Sequence, residues 1–423
     1  MKSMQLENSV KTFFKPKSAK QLYERVNFNN EIVVTNLSKK FFNLEKQLKI
    51  AFFQRDEIIH SLVLAMLSGK TIGRGSNIMF IGPPGTAKSA IVDYLAKCIE
   101  NDVAKECNIM FRTLYHQFIK PAEVFGPEDI DELLKNKRIV RRMENFLANA
   151  VFAFHDEIYK ANDAIRNTLL TAINEGIFQL DGKWYDLPCL CHFAASNEIG
   201  KEPAFKDRFL QWFYVPYIQG REDRLKYLKA KKLPVPKICL KLSEIYLAQL
   251  EVSKVEISDI TYNTLLDIVD DIGNPEEISG KKGKGISVSD RRIREILPLL
   301  QAEAFLNNRK ETEPEDCSML VPCLWNNPSE IKQVQKIVQK HSNSQLLDIL
   351  EKVDVATATF QNISSGAEKA SDEIKEILQD LKLIVPLKRN ETEYKKSISI
   401  VDAIYKGSVQ IAIKEKESGQ VRR

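Results

Sequence analysis

The sequence predicts an α/β protein in which a parallel sheet with helices on both faces is followed by an all-α lid domain and a helical C-terminal tail. Three observations indicate this fold class. Short apolar runs alternate with helical patterns up to about residue 216, the first run leads through a glycine- and proline-rich loop into a helix, and strand signals fade after Pro216. Such alternation is typical of parallel sheets, because each crossover between parallel strands needs a connecting segment that is usually a helix.

The strands of the predicted sheet are short apolar segments. Asn77–Ile81 ends at a glycine and two prolines, which indicates a buried strand that feeds a loop. Further strands are predicted near Ile109–Leu114, Ala150–Phe154 and Cys191–Ala195. Before the first strand, between Leu37 and Ser68, apolar residues recur at the spacing of amphipathic helices.

The second half of the chain is predicted to be helical. Residues 220–320 contain amphipathic helices interrupted by the basic stretch Gly280–Gly285, and helical patterns continue from Pro328, for example over Asp372–Leu383. We therefore predict four regions: a flexible N-terminal segment (1–36), an α/β core (37–216), a helical lid domain (217–325) and a helical C-terminal region (326–423).

The composition is that of an ordinary globular protein. The chain has 423 residues and a net charge of +5, which neither requires nor excludes a nucleic-acid partner. Seven cysteines at scattered spacing are typical of buried, reduced thiols and not of a zinc site. The first thirty residues lack the apolar core of a signal peptide, and no run approaches the ~20 apolar residues of a membrane span. These observations predict a cytoplasmic protein without a membrane span.

The loop after the first predicted strand has the pattern of a phosphate-binding loop. It consists of Gly82, Pro83, Pro84, Gly85, Thr86, Ala87, Lys88 and Ser89, and a helix is predicted from Ala90 to Cys98. Backbone amides of such a loop and the following helix N-terminus bind nucleotide phosphates. Lys88 would contact the β and γ phosphates and Ser89 would bind Mg²⁺. The strict pattern has glycine at the position of Ala87.

Two carboxylates follow the strand at Ala150–Phe154. Asp156 would hold the Mg²⁺ shell and Glu157 would polarise the attacking water, since α/β sheets place their sites at the carboxyl ends of strands. His155 precedes them where an apolar residue is usual, and we expect it to be tucked beside the sheet. Asn197 follows the strand at Cys191–Ala195 and can orient water against the γ phosphate.

Two arginines complete the predicted site. Arg208, in the segment Lys206–Phe209, is positioned to reach a neighbouring subunit, where a guanidinium stabilises charge on the transferring phosphoryl group. Arg291 lies in the first turn of a helix that Ser289 or Asp290 caps, and from there it could fold back onto the phosphates.

These elements, in this order, resemble those of the AAA+ ATPases. Two further segments, Phe118–Pro127 and Asn167–Gly176, look like those of the MoxR group, as does the β-hairpin predicted over Phe178–Leu180 and Trp184–Asp186. Four segments of the chain resemble signatures of the RavA-like subfamily. They are His155–Ala161, Ala194–Glu198, Val288–Arg292 and Cys323–Trp325. The resemblance implies that Asn197 is the sensor-one residue, Arg208 the arginine finger and Arg291 the sensor-two arginine.

The resemblance also implies an activity. It predicts an ATPase that uses ATP and Mg²⁺, forms a homo-hexameric ring and remodels or activates a client, usually with a von Willebrand factor A domain protein as partner. RavA-like chains carry a small β-rich insert between their later helices, and no pattern after residue 330 resembles one.

Two other functions remain open. A DNA-associated motor or a sliding-clamp-associated ATPase is favoured by Phe13-Phe14, which resembles a clamp-binding peptide, and by the basic run at Lys281–Lys284. A scaffold that binds nucleotide without hydrolysing it is disfavoured by the full set of predicted catalytic residues.

Overall fold

The computed structural model describes residues 37–69, 74–103, 105–137, 140–180, 182–200, 207–230, 233–274, 277–278, 281–282, 285–342, 344–361, 363, 367–384 and 391–420. The predicted N-terminal segment, with its Phe13-Phe14 pair, lies outside these residues. The chain forms two compact units, one ending at Val334 and the other beginning at Gln335. Within the described parts of the chain, no helix is both long and apolar enough to cross a membrane.

A five-stranded parallel sheet lies at the centre of the first unit. Its strands are β1 (Ile78–Ile81), β3 (Asn108–Leu114), β4 (Ala150–Asp156), β7 (Cys191–Ser196) and β8 (Gln211–Tyr214), and their spatial order is β3-β4-β7-β1-β8. The four predicted strands are present, which confirms the α/β fold class. Sequence patterns did not predict β8, because this four-residue strand begins with glutamine and has no continuous apolar run.

Helices and short strands connect the sheet. They are α3 (Lys88–Lys97), β2 (Ile99–Glu100), α4 (Pro121–Phe125), α5 (Ile130–Asn136), α6 (Asp163–Glu175), β5 (Ile177–Leu180) and β6 (Lys183–Asp186). Strands β5 and β6 pair antiparallel, as the predicted hairpin requires. Asn162 begins α6 by accepting a hydrogen bond from the Ile165 amide, and Gly176 ends it in the left-handed conformation.

The sheet register brings the carboxyl ends of four strands to one edge. Ile81 pairs with Ser196, and Asp156 pairs with both Leu114 and Ala195. Strands β4 and β7 are buried along their length up to these ends, where β4 finishes at the partly exposed Asp156. Loops that follow these strands therefore share one edge, as expected for an α/β site.

The lid elements follow the sheet. They are α7 (Arg221–Lys229), β9 (Leu240–Lys241), α8 (Leu242–Val252), α9 (Asp259–Gly273), β10 (Glu277–Ile278), β11 (Lys281–Lys282), α10 (Asp290–Leu306), α11 (Val321–Leu324) and α12 (Ile331–Ser342), together with a 3₁₀ segment at Pro314–Leu320. Ser289 caps α10 by accepting a hydrogen bond from the Arg292 amide, so it is Ser289 that fills the predicted cap position.

Helices α1 (Leu37–Ala51) and α2 (Asp56–Leu67) precede the sheet in the chain but pack against lid helices α8 and α10. Lys40 of α1 forms an ion pair with Glu244 of α8, and Ser38 donates a hydrogen bond to the Asn308 side chain at 2.6 Å. His60 of α2 contacts Glu303 of α10 at 2.7 Å. Helices α1 and α2 are therefore anchored to the lid by polar contacts as well as by packing.

The second unit contains three long helices, α13 (Ser344–Gln361), α14 (Ala367–Leu383) and α15 (Glu391–Gln420). Their shared apolar core consists of Ile349, Ala356, Ile374, Leu378, Leu381 and Val401. Three residues of the predicted stripe on α14, Ile374, Leu378 and Leu381, are in this core, and Ile377 packs against it. In the described residues of this unit, every regular element is helical.

Candidate nucleotide-binding site

The phosphate loop connects β1 to α3 at the carboxyl edge of the sheet. Gly82 opens it with a φ of 151°, and its amide donates a hydrogen bond to the Ser196 carbonyl. A Cβ atom at this position would lie 2.4 Å from the Val215 carbonyl oxygen, so only glycine fits between the loop and the end of β8. The adjacent strands therefore hold the loop in place through its first residue.

Ala87 is the residue that precedes helix α3. Its φ of 67° and ψ of 20° are in the left-handed region, where glycine is the usual residue. This backbone conformation explains why the strict loop pattern has glycine here. Alanine adopts it at a cost of roughly 1 kcal/mol, which surrounding structure must offset.

Lys88 points back into the loop. Its Nζ donates hydrogen bonds to the carbonyls of Gly82 at 2.6 Å and Pro83 at 2.9 Å. Burial lowers the pKa of Lys88, while the charges of Asp156 and Glu157 oppose that shift. The ammonium group thus lies close to the predicted metal ligand Asp156 and the predicted catalytic base Glu157.

One cavity brings the main predicted residues together. It has a volume of about 370 Å³ and is lined by Pro84, Gly85, Thr86, Ala87, Lys88, Ser89, Leu114, Asp156, Glu157 and Asn197. Asn197 directly follows β7, and Asp156 ends β4, so the sheet positions both at the same edge. Four chain segments, each at least 25 residues from the next, contribute to this single cavity.

Asp156 and Glu157 have different surroundings. Burial raises the pKa of Asp156, partly opposed by Arg112, whose Nη2 lies 3.8 Å from the carboxylate. Arg112 is itself held by Asp93 of α3 at 2.9 Å. Glu157 has a left-handed backbone with a φ of 54°, and its carboxylate lies 3.4 Å from Lys160 Nζ. The sharp backbone turn at Glu157 separates the directions of the two neighbouring carboxylates.

The oxygen atoms of the cavity are suited to Mg²⁺. Ser89 and Asp156 offer a hydroxyl and a carboxylate, which are hard ligands of the kind that Mg²⁺ takes together with phosphates and water. Among the described residues, no group of three or more His, Cys, Asp or Glu side chains could hold a metal alone. A magnesium ion here would take its remaining ligands from nucleotide phosphates and water.

His155 does not face the cavity. It is fully buried, and its Nδ1 and Nε2 lie 2.9 Å from the Tyr115 hydroxyl and 3.0 Å from His192 Nδ1. Burial lowers the pKa of His155 to about 3, so the imidazole is neutral. The expectation that His155 is tucked beside the sheet is confirmed.

A second cavity adjoins the phosphate loop and was not predicted from the sequence. It has a volume of about 550 Å³, and Phe52, Phe53, Arg55, Tyr217 and Tyr227 line it together with Gly85, Thr86 and Ala87. Aromatic walls beside a phosphate loop suit a purine base. The Phe52-Phe53 pair at the α1–α2 turn is the one signal in the sequence that could have indicated it.

Arg208 and Arg291 lie at the opposite edge of the sheet. Both line a cavity of about 190 Å³ together with Asn77, which immediately precedes β1 and donates a hydrogen bond to the Arg208 carbonyl. Arg291 donates hydrogen bonds to the side chains of Asn174 and Glu295. The phosphate loop follows the other end of β1, so neither arginine faces the loop of its own chain.

The placement of Arg291 corrects one expectation. The predicted return of Arg291 onto the phosphates of the same chain is not the arrangement in the structure, because the first turn of α10 packs beside the end of α6 instead. Arg208 remains a candidate for contact with a neighbouring subunit, and Arg291 now shares its position.

Comparisons with known proteins agree with this geometry. Residues 39–231 match the family model of a MoxR domain in the MoxR-vWA-beta-propeller ternary systems, and residues 264–338 match that of an AAA lid domain. An uncharacterised protein of Methanocaldococcus jannaschii is 30% identical over 76% of this chain and 80% of its own length. A second protein of that organism is 29% identical over 88% and 90%.

Two other similarities are more distant. A structural protein of Acidianus two-tailed virus is 29% identical over 45% of this chain and 31% of its own length. A crystal structure of a candidate ATPase from Cytophaga hutchinsonii has a TM-score of 0.56 at 18% identity, covering 73% of this chain and 96% of that one, which shows a shared fold. From the two family models, the archaeal relatives and the geometry of the phosphate loop, the chain belongs to the MoxR-type AAA+ ATPases.

Proposed function

We propose that the protein is a Mg²⁺-dependent ATPase that works as a ring and couples ATP hydrolysis to the remodelling or activation of a partner protein. The observation that carries the proposal is the single cavity lined by Lys88, Ser89, Asp156, Glu157 and Asn197. This cavity contains each class of group that phosphoryl transfer to water requires. These are hydrogen-bond donors to the phosphates, metal ligands, a carboxylate base and a polar side chain that orients the water.

Each residue has a separate proposed task. The loop amides and Lys88 bind the phosphates, and the N-terminus of α3 adds a partial positive charge. Ser89 and Asp156 would hold Mg²⁺, which neutralises charge on the phosphates. Glu157 accepts a proton from the attacking water and Asn197 orients that water. These roles rest on the shared cavity and on the family to which the chain belongs.

The positions of the two arginines support the proposed ring. Arg208 and Arg291 lie together at the end of β1 remote from the phosphate loop, so a phosphate contact by either needs a second copy of the chain. A contact in which the arginine edge of one copy meets the loop edge of the next is head-to-tail, and such contacts close into a ring when the rotation between copies permits it. We propose a homo-hexamer in which both arginines complete the neighbouring site.

Mixing two inactive variants tests this arrangement. Arg208→Ala and Lys88→Ala should each be almost inactive alone. In an equimolar mixture about a quarter of interfaces combine an intact loop with an intact arginine, so ATPase activity should recover towards that fraction. Arg291→Ala should behave as Arg208→Ala does. Arg142→Ala, at an exposed arginine on the same unit, is the matched control and should stay fully active.

Failure of the mixture to regain activity, with mixed rings shown to form, would contradict action in trans. A turnover rate that Glu157→Gln leaves unchanged would contradict hydrolysis at this cavity altogether.

The partner is proposed from the matched family. That family model describes MoxR domains in ternary systems with vWA and β-propeller proteins, which supports a von Willebrand factor A domain protein as partner of this chain. The helical second unit, with no β element among its described residues, is compatible with a RavA-like helical bundle that lacks the insert. Capture with the Glu157→Gln variant and ATP should retain a vWA protein, and recovery of the chain alone would count against the proposal.

A further inference from the structure

Arg55 occupies an unusual position in the turn between α1 and α2. Its side chain reaches inward and donates hydrogen bonds to three backbone carbonyls: Gln54 at 2.7 Å, Pro216 at 2.6 Å and, more weakly, Thr86 at 3.5 Å. Thr86 belongs to the phosphate loop and Pro216 begins the connection from β8 to the lid. Arg55 therefore lies between the loop and the start of the lid.

The charge of Arg55 has no counter-charge in the described part of the chain. The residue is only 5% exposed, no carboxylate there lies within ion-pair distance, and its Nε has no hydrogen-bond partner. Burial lowers the pKa of Arg55, and no neighbouring charge acts against that effect. A buried cation held only by carbonyl dipoles is costly, and folded proteins usually pair such groups with an anion.

A nucleotide whose base fills the adjoining cavity would bring its phosphates to the loop beside Arg55 and so supply this missing charge. Arg55 lines the cavity of about 550 Å³ together with Gly85, Thr86 and Ala87, so the space beside its guanidinium is continuous with the phosphate loop. We infer that Arg55 is a nucleotide-binding residue whose buried positive charge is compensated by the phosphates of the bound nucleotide. The inference deepens the proposed function and rests on nucleotide binding at this loop.

A purely structural role predicts different behaviour. If Arg55 only ties Thr86 to Pro216, its removal lowers the stability of the nucleotide-free protein and leaves affinity unchanged. If the charge of Arg55 binds the nucleotide phosphates, its removal does not lower the stability of the nucleotide-free protein, because an uncompensated buried cation is removed. The affinity for phosphorylated ligands falls instead.

The test compares ligands that differ in phosphate charge. Binding of ATP, ADP and adenosine to the full chain is measured by isothermal titration calorimetry for the unchanged protein, Arg55→Gln and Arg55→Lys. Arg55→Gln should weaken ATP and ADP by at least about tenfold and adenosine by less than about threefold, since the lost interaction is between charges. Arg55→Lys keeps the charge and should therefore bind ATP more tightly than Arg55→Gln does.

Arg142→Gln is the matched control. Arg142 is exposed and lines none of the three cavities described above, so its loss should leave affinity for all three ligands unchanged. The melting temperature of the nucleotide-free Arg55→Gln protein should equal or exceed that of the unchanged chain. Arg55→Met, which keeps an apolar stem in the site, repeats the measurements if Arg55→Gln does not fold.

Three outcomes overturn the inference. They are unchanged ATP affinity in the charge-free variants, an equal loss of affinity for adenosine and ATP, and a lower melting temperature combined with unchanged affinity. If the unchanged protein itself does not bind ATP, the proposed function fails, and that result is distinct from failure of the inference about Arg55.

Discussion

His60 offers a direct test of how α1 and α2 are held to the lid. Its imidazole lies 2.7 Å from Glu303 of α10 and 3.3 Å from Glu45 of α1. Burial acts to lower the pKa of His60, but the hydrogen bonds and charges of the two glutamates outweigh it and raise the pKa to about 10. We predict that His60→Gln destabilises the first unit, and that the loss depends on pH.

The sign and size follow from linkage. Because the folded-state pKa lies above the unfolded value of 6.5, the stabilisation is complete below pH 6.5 and is lost as the pH rises through about 10. A shift of this size corresponds to roughly 4 kcal/mol at pH 7 and about 1.4 kcal/mol at pH 9. The side chain is 27% exposed, so solvent screening should reduce these values by about half, to roughly 2 kcal/mol at pH 7 and under about 1 kcal/mol at pH 9.

Urea unfolding followed by tryptophan fluorescence is a suitable assay. The three tryptophans, Trp184, Trp212 and Trp325, all belong to the first unit, so the signal reports the part of the chain that contains His60. His116→Gln is the control, because His116 is half exposed and lies 3.8 Å from Glu123, and its loss should cost less than about 0.5 kcal/mol. A loss for His60→Gln that is the same at pH 6.5 and pH 9, or no larger than that of the control, would refute the reasoning.

Two further predictions concern the phosphate loop and the second unit. Ala87→Gly should stabilise the nucleotide-free protein by roughly 0.5 kcal/mol, because relief of the left-handed strain at Ala87 outweighs the added entropy of the unfolded chain. Ala90→Gly within α3 is the control and should destabilise the protein by about 1 kcal/mol. Urea unfolding decides this, and an equal loss for both glycines would show that the φ of Ala87 carries no strain. Ile374→Ala should cost about 2–4 kcal/mol, since Ile374 is fully buried in the core of α13, α14 and α15. Hydrogen exchange of these helices measures the effect, with the exposed Leu383→Ala as control, and matching protection in the two variants would argue against the packing described.

The predictable parts of the site are those whose residues are contiguous in the sequence. The loop at Gly82–Ser89 and the pair Asp156-Glu157 each follow an apolar run, and an apolar run of this length bounded by polar residues indicates a buried strand end. Strand β8 was not predicted because its first residue, Gln211, is polar and interrupts the apolar run expected of a buried strand. Gln211 is nevertheless buried, with its side chain hydrogen-bonded to Ser76. Burial of that kind depends on a hydrogen-bond partner distant in sequence.

The placement of Arg291 shows the same limit for the lid. Its sequence position, in the first turn of a capped helix, is compatible with contact to the phosphates of the same chain or of another. The contact of Arg291 with Asn174 places it at the edge remote from the loop, and this contact depends on how α10 packs beside α6. Local sequence patterns carry no information on that packing.

By itself, the sequence determined the α/β class, the phosphate loop and the carboxylates, because each depends on a local pattern of apolar and polar residues that needs no distant partner. Only the tertiary structure decided that four separate chain segments share one cavity, that Arg208 and Arg291 lie together at the opposite edge, and that Arg55 is a buried cation beside the phosphate loop. The physical reason is that burial and charge pairing are set by segments far apart in the chain, which meet only when the sheet and its covering helices have packed.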